Sequence, residues 1–364
     1  MNDSFSLFKK KYRVLGVMSG TSLDGVDVAL VDFWLENNKW KFRVEISDTT
    51  PYDVHWQQRL AQAHHLSPKK LEELDNDYSL KLYELLSDFI LANHVGQVDA
   101  VCSHGHTVLH QPQKGFTVQI GNQPLLSEML GCTLVCDFRV QDVENGGQGA
   151  PLVPVGDYLL FSDYTAALNL GGFANLTRMD QDSLRAYDLC ALNTVINRLA
   201  SRENLKFDDQ GFLAREGKIV QDLLNELDRI DYYQRQPPKS LGIENVDKDV
   251  WPLIMKYQEI QTKDLLATFV EHVSKIIAHE IADAQSVLVT GGGAFNTFLT
   301  QTIQKYAQCE LVIPSQIIIE FKEAIVFGFL GILRLRQENN IYASVTGCPK
   351  DHCSGKIYRP ALAS

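Results

Sequence analysis

The chain has no long apolar run. Its most hydrophobic helix candidate, Ala324–Leu333, is about half the length that crosses a bilayer, so no membrane partner is expected. Basic charge is not in excess either: 34 Lys and Arg against 45 Asp and Glu leave a net charge of −11, which argues against nucleic acid or an anionic membrane surface as a partner. The seven cysteines are scattered and odd in number, so no disulfide framework is expected. Cys348, His352 and Cys353 lie close in sequence but have no second pair at zinc-finger spacing, and incidental thiols are the expectation. Lys9, Lys10 and Lys11 precede an apolar run too short for a secretory signal, so the protein is expected to be cytoplasmic. Low-complexity segments are absent, as are a Walker loop and a Rossmann fingerprint. What remains is an ordinary globular composition, 45% hydrophobic and 22% charged, over 364 residues. That is too long for one compact core and suits two domains.

The stretch Val14–Asp32 organises the rest. An apolar run enters a turn containing Gly20, Thr21, Ser22, Leu23, Asp24 and Gly25, and a partly alternating apolar run, with Val26 and Asp27, leaves it. This reads as strand, tight turn, strand. Small residues let backbone approach a ligand, and clustered N–H groups suit phosphate oxygens. An ordinary hairpin is the alternative, and the density of hydroxyls favours phosphate.

Further strands are expected at Val14–Met18, Val26–Trp34, Trp40–Ile46 and Val98–Cys102, the last running into Ser103-His104-Gly105-His106-Thr107. Helical periodicity covers Asp53–His65 and Pro68–Asn93, with Leu71, Leu74, Leu82, Leu85, Leu86 and Phe89 on the apolar face. After a helix near Gln123 and a strand at Thr133–Cys136, the Gly-rich Asn145–Pro151 stretch is expected to be a hinge. The same order then recurs. Ala166–Thr177 is again strand, glycine turn, strand; Arg185–Tyr187 ends at Asp188 before a helix from Asn193 to Ser201; and a helix over Asp264–Asp283 precedes strand Ser286–Thr290, which delivers Gly291-Gly292-Gly293 to another helix. Two α/β halves built alike imply a ligand cleft between them, at the strand ends.

This duplicated plan resembles the sugar kinase, actin and heat-shock ATPase superfamily, in which two ribonuclease-H-like domains close over ATP. The resemblance narrows on Gly16–Asp27, Ser103–Val108, Val118–Gly121, Asp137-Phe138-Arg139, Gly146–Leu152, Asn169–Gly172, Pro237–Ser240, Val289–Gly293 and Glu323-Ala324. In that order they are similar to the motifs of anhydro-N-acetylmuramic acid kinases over almost the whole chain. The resemblance implies domains at 1–140 and 141–364. It implies an enzyme that uses ATP, Mg²⁺ and water to open a 1,6-anhydro amino sugar, giving N-acetylmuramic acid 6-phosphate for cell-wall recycling. A kinase of another amino sugar, or a non-catalytic nucleotide or muropeptide sensor, are the alternatives. A homodimer is the expected assembly.

By resemblance, residues 20–27 form the ATP phosphate loop, Gly171 and Gly172 the second phosphate turn, and Gly291, Gly292 and Gly293 the adenosine loop. His104, Gly105, Thr107, Asp137, Arg139, Gln148, Gly149, Ala150 and Pro151 line the sugar pocket. Arg139 suits the sugar's carboxylate, or else a structural aspartate. Asp188 is the general base, or on physics alone a helix N-cap. Glu323 approaches the catalytic region, or is merely an acid at a helix start. Where the family reads Asp-Thr-Gly-Pro-Gly-Asn, this chain reads Asp188-Leu-Cys-Ala-Leu-Asn193. Leu and Ala strain where glycine has positive φ, so an altered loop is expected after Asp188. The Pro237–Ser240 segment either positions phosphate or is a rigid connector. Metal ligands are not assigned, with Asp24 and Asp27 as candidates for contact through water.

Overall fold

The computed structural model describes residues 9–20, 22–180 and 183–361; Thr21 of the expected phosphate loop lies outside them. The first strands are β1 (Lys11–Ser19), β2 (Gly25–Glu36), β3 (Lys39–Pro51), β4 (Ala100–Gln111), β5 (Phe116–Ile120) and β6 (Leu134–Cys136). The rest are β7 (Ala166–Leu170), β8 (Phe173–Asp180), β9 (Ser183–Ala191), β10 (Ser286–Thr290), β11 (Glu310–Val312) and β12 (Lys356–Tyr358). The helices that matter below are α1 (Pro68–Ala92), α2 (Val140–Glu144), α3 (Asn193–Ala200), α4 (Thr262–Glu280) and α5 (Gln316–Leu335).

The chain divides into two compact units, one of Met1–Leu160 with Phe321–Ser364 and one of Phe161–Glu320. In the first unit the sheet order is β12-β6-β4-β1-β2-β3, with β5 paired to β4. Strands β1, β2 and β3 form an antiparallel meander, while β4 and β6 run parallel to β1. The second unit repeats this plan as β11-β10-β7-β8-β9, a meander of β7, β8 and β9 followed by parallel β10 and β11. Both are ribonuclease-H-like sheets, as the element order implied.

Burial follows position in the sheet. Strand β2, one in from the edge, is buried almost continuously from Gly25 to Phe33, as a strand covered on both faces must be. Neighbouring β3 alternates and is largely exposed. Helix α1 begins with proline at its first turn and buries Leu74, Leu82, Leu85, Leu86 and Phe89 in the first core. Tyr78, which the periodic reading passed over, lies wholly buried on the same face. The second core gathers Leu168, Leu176, Phe269, Val273 and Val289 from its sheet and α4.

Three expectations shift. The domain boundary falls after Leu160 rather than residue 140, and the first unit regains the chain from Phe321. The Asn145–Pro151 stretch therefore lies inside that unit and is not its border. The return is built by edge strand β12, antiparallel to β6, and by α5, whose Ala324 carbonyl lies directly against Gly16 of β1. A side chain at Gly16 would enter that carbonyl. Second, Ser103–Thr107 is no loop: β4 continues through it to Gln111, with Gly105 at φ 73° where the register against β1 slips. Third, Glu323 sits well inside α5 rather than at its start.

Candidate functional site

The first glycine turn connects β1 to β2 as expected. Within it Ser22 donates to Asp24 Oδ1 at 2.7 Å and Leu23 holds a left-handed φ of 59°. Thr49 of β3 donates to Asp27 Oδ1 at 2.6 Å. Its two glycines differ physically. A Cβ on Gly25 would stand 2.5 Å from the Thr50 carbonyl, so this glycine serves the packing of β2 on β3. A Cβ on Gly20 would meet only Ser22, at 3.3 Å, which leaves that backbone open to a ligand. Beneath the turn runs a buried polar chain that the sequence did not reveal. The Ser19 hydroxyl lies 2.7 Å from the Tyr52 hydroxyl and 3.0 Å from His106 Nδ1, and Tyr52 is bonded on to Tyr78. Burial lowers the His106 pKa to about 4 and raises that of Tyr52 to about 12.

The expected sugar residues of this unit converge around Arg139. Its Nε donates to His104 Nε2 at 2.8 Å and its Nη1 to the Gly149 carbonyl at 2.7 Å. His104 Nδ1 stands 2.8 Å from the Gly105 carbonyl, which assigns the ring's one proton to Nδ1 and leaves Nε2 as acceptor. Burial, and then the Arg139 charge, hold the His104 pKa well below its ordinary value, so the ring is neutral. Burial lowers the Arg139 pKa to about 10, opposed by the Glu323 carboxylate. Glu323 is reached by water yet ringed by protein; that loss of solvation pushes its carboxyl up, while Arg139 and Lys322 pull it back. Among the described residues, Arg139 makes no ion pair with an aspartate. Asp137, at φ 61°, is instead paired with Lys356 of β12 at 2.6 Å.

The Gly146–Pro151 loop is anchored from below by Asp142 of α2. Asp142 Oδ2 accepts from Gly149 N at 2.6 Å, and the Gly147 amide bonds the Asp142 carbonyl at 2.8 Å. Gln148 N donates to the Thr346 carbonyl at 2.8 Å, while the rest of Gln148 is exposed. Ala150 is half-buried and Pro151 exposed on the same loop. Thr107 accepts from Gln119 Nε2 at 3.3 Å, one strand away.

In the second unit Asp188 lies within β9, not at its end. It faces Asn175 of β8, and Leu189 is the extra residue of a bulge before Cys190 pairs with Ala174. Leu241 N donates to Asp188 Oδ2 at 2.9 Å; among the described residues no partner is bonded to Oδ1. The main chain at Asp188 is fixed on both sides: its N–H donates to the Lys239 carbonyl at 3.2 Å and its carbonyl accepts from Tyr232 at 2.7 Å. Burial raises the Asp188 pKa, with the Leu241 amide opposing. Lys239 itself is turned inward, its buried ammonium 3.0 Å from Glu280 Oε1, and its carbonyl braces the main chain at Asp188.

The altered residues Leu189, Cys190, Ala191 and Leu192 finish the strand and enter the core, and none has positive φ. The left-handed backbone expected of them is absent because Leu189–Ala191 are strand and Leu192 caps the next helix, in place of a glycine loop. Nor is Asp188 a helix cap: Leu192 holds that position before α3. The N–H groups of Leu192, Asn193 and Thr194 donate to the carbonyls of Gly171 and Gly172, pinning the second glycine turn against the helix start. The third loop abuts the same turn. Gly291, at φ 80°, leaves no room for a side chain beside Asn169, and a Cβ on Gly293 would stand 2.8 Å from Leu170 Cβ. Gly292 faces open space.

Gly292 and Gly293 form one wall of a cavity of about 630 Å³ lying entirely within this unit. Phe207 and Phe295, both exposed, flank it, and Gln210, Asn296, Gln316 and Glu320 supply polar edges. Two aromatic faces beside hydrogen-bonding groups suit a flat heteroaromatic base. Phe207 and Gln210 were invisible in sequence because they belong to a turn between helices, held by Asp208, which accepts from Leu213 N and Ala214 N.

Residues 12–360 match the family model described as anhydro-N-acetylmuramic acid kinase. The chain is similar to the protein of that name from Sulfurimonas denitrificans, 32% identical with 94% of this chain and 98% of that protein covered. It is equally similar to that of Mannheimia succiniciproducens, 32% identical with 96% and 99% covered. Among solved structures it is similar to the (R)-2-hydroxyglutaryl-CoA dehydratase component A of Acidaminococcus fermentans, at 11% identity and a TM-score of 0.44 over 87% of this chain and 96% of that one. With the family's model matched from the first strand to beyond the last, the chain belongs to the anhydro-N-acetylmuramic acid kinase family.

Proposed function

We propose that this chain uses ATP and water to convert 1,6-anhydro-N-acetylmuramic acid into N-acetylmuramic acid 6-phosphate and ADP. The observation that carries this reading is the family match over residues 12–360. The local geometry supports roles for particular side chains. Asp188, half-buried, with one carboxylate oxygen held by Leu241 N and its other without a protein bond, is the base. It takes a proton from water as the water oxygen bonds to the anomeric carbon. The bond from that carbon to the bridging oxygen breaks, and the freed oxygen on the sixth carbon takes the γ-phosphoryl group as ADP leaves.

Arg139, oriented by neutral His104 and the Gly149 carbonyl, binds the sugar's carboxylate through Nη2. Glu323 balances that guanidinium charge and keeps the fork aligned. The open Gly20 turn and the Gly171–Gly172 turn receive phosphate oxygens, and the aromatic-walled cavity beside Gly292 receives adenine. Asp24 and Asp27 offer carboxylate oxygens at the phosphate turn, a donor set that suits Mg²⁺ held through water; bound there, the ion would neutralise phosphate charge. ADP release measured with ATP and the anhydro sugar tests the reading. Release must require both; release with ATP alone, or none with the sugar present, contradicts it.

A further inference from the structure

We infer that Asp142, Cys348 and His352 form a binding site for a zinc-class divalent cation behind the Gly146–Pro151 loop. Among the described residues these are the three metal-ligating side chains that converge, with one ligand atom of each within 4.8 Å of the others. All three are at least nine-tenths buried, at 0%, 5% and 9% exposure. The sequence separates Asp142 from the other two by the whole second unit, which is why the Cys348-x-x-x-His352 spacing reads as incidental.

The hydrogen bonds around His352 carry the inference. Its Nδ1 lies 3.2 Å from the Lys350 carbonyl, which can only accept, so Nδ1 bears the proton and Nε2 a lone pair. Nε2 is buried without a hydrogen-bond partner and faces Asp142 Oδ1 at 3.7 Å. Two acceptors thus oppose each other at a distance too long for a hydrogen bond, an arrangement a cation between them would satisfy. A backbone carbonyl on the other ring nitrogen is also how ligating histidines are oriented. Cys348 Sγ stands 3.7 Å from Nδ1 of the same ring, and the ligand atoms of the three residues lie within 4.8 Å of one another. Ligand atoms on a tetrahedral zinc lie about 3.3–3.8 Å apart, given bonds of about 2.0–2.3 Å, so the triangle closes with movement of about 1 Å.

The donor set is mixed nitrogen, sulfur and oxygen, which selects zinc over magnesium or calcium. On binding, the Cys348 thiol gives its proton to solvent; one thiolate, one carboxylate and a divalent ion then sum to zero charge, as a buried site requires. Asp142 already holds Gly149 N with Oδ2 and accepts from Thr346 with Oδ1 at 2.9 Å. A bound ion would therefore tie residues 346–352 to the loop assigned above to the sugar.

The test is metal binding by the full chain without a histidine tag, stripped by chelator and given one equivalent of Zn²⁺ or Co²⁺. After gel filtration, one zinc per chain is expected by mass spectrometry, and the cobalt form should show a thiolate charge-transfer band in the near ultraviolet. Cys348→Ser should abolish that band. Cys353→Ser should leave it, since Cys353 Sγ faces Arg334 and the Leu333 carbonyl instead. His352→Gln should weaken zinc binding at least tenfold. Only trace zinc and no cobalt band in the wild-type chain, or a band that survives Cys348→Ser, would overturn the assignment; the wild-type result decides it even if the variant fails to fold.

Discussion

Asp188 bears its charge against the cost of burial, and two measurements follow. Asp188→Asn keeps the shape and the acceptor for Leu241 N but removes the basic oxygen. Turnover should fall on the order of a hundredfold or more while ATP and sugar affinities stay near wild type. An undiminished rate in the folded variant would take the base role from Asp188. The raised pKa fixes the pH behaviour too. A base must be unprotonated, so the acidic limb of kcat/KM should lie above the ordinary carboxylate range. For stability the sign is opposite to that of a salt-bridged aspartate: the folded state holds the proton more tightly, so Asp188 favours folding below its unfolded pKa and loses that contribution as pH rises through the folded one. At neutral pH the Asn variant should therefore melt no lower than wild type.

Gly20 and Gly25 separate ligand binding from packing in the same turn. Gly20→Val should fold normally and weaken ATP by roughly 1 kcal/mol or more, because the added methyls stand where phosphate oxygens approach. Gly25→Val should lower the melting temperature, through the Thr50 carbonyl. Calorimetry showing unchanged nucleotide affinity in folded Gly20→Val would leave that turn a purely structural role. In sequence the two glycines were indistinguishable, since the difference lies in β3, whose register against β2 is a tertiary fact.

At the scale of elements, the strand order and the paired glycine turns were legible because each strand carries its own apolar run and turn chemistry. What escaped was decided by partners distant in sequence. Strand β4 runs on through Ser103–Thr107 because β1 and β5 pair with it, and Leu189–Ala191 are strand because β8 is beside them. Gly16 of β1 lies so close under Ala324 of α5 that no side chain fits between them. Gly16→Ala should destabilise the protein by about 1–3 kcal/mol or more through overpacking, read from denaturant midpoints; an unchanged midpoint would mean that α5 shifts freely. The buried chain from Ser19 to His106 predicts a pH effect. His106 titrates near pH 4 when folded, so below its unfolded pKa of about 6.5 the unfolded state binds more protons and stability falls with pH, by roughly 3 kcal/mol at most. Melting temperature should drop between pH 7 and pH 4.5, and His106→Asn should flatten the slope. Parallel curves would show that other groups set it.

For the whole molecule, the proposed roles fall legibly on two ribonuclease-H-like units: Arg139 belongs to one, Asp188 and the aromatic-walled cavity to the other. The reach of the first unit back to residues 321–364 was not legible, because a three-residue edge strand, Lys356–Tyr358, carries almost no periodic signal of its own. The central claim is that water, not merely a sugar hydroxyl, enters the reaction. Turnover of ATP and the anhydro sugar in ¹⁸O-labelled water, followed by mass spectrometry of the product, tests it directly. The account predicts one solvent oxygen on the anomeric carbon and none in the bond between the sixth carbon and phosphate. Phosphorylated product without label at the anomeric carbon would contradict it.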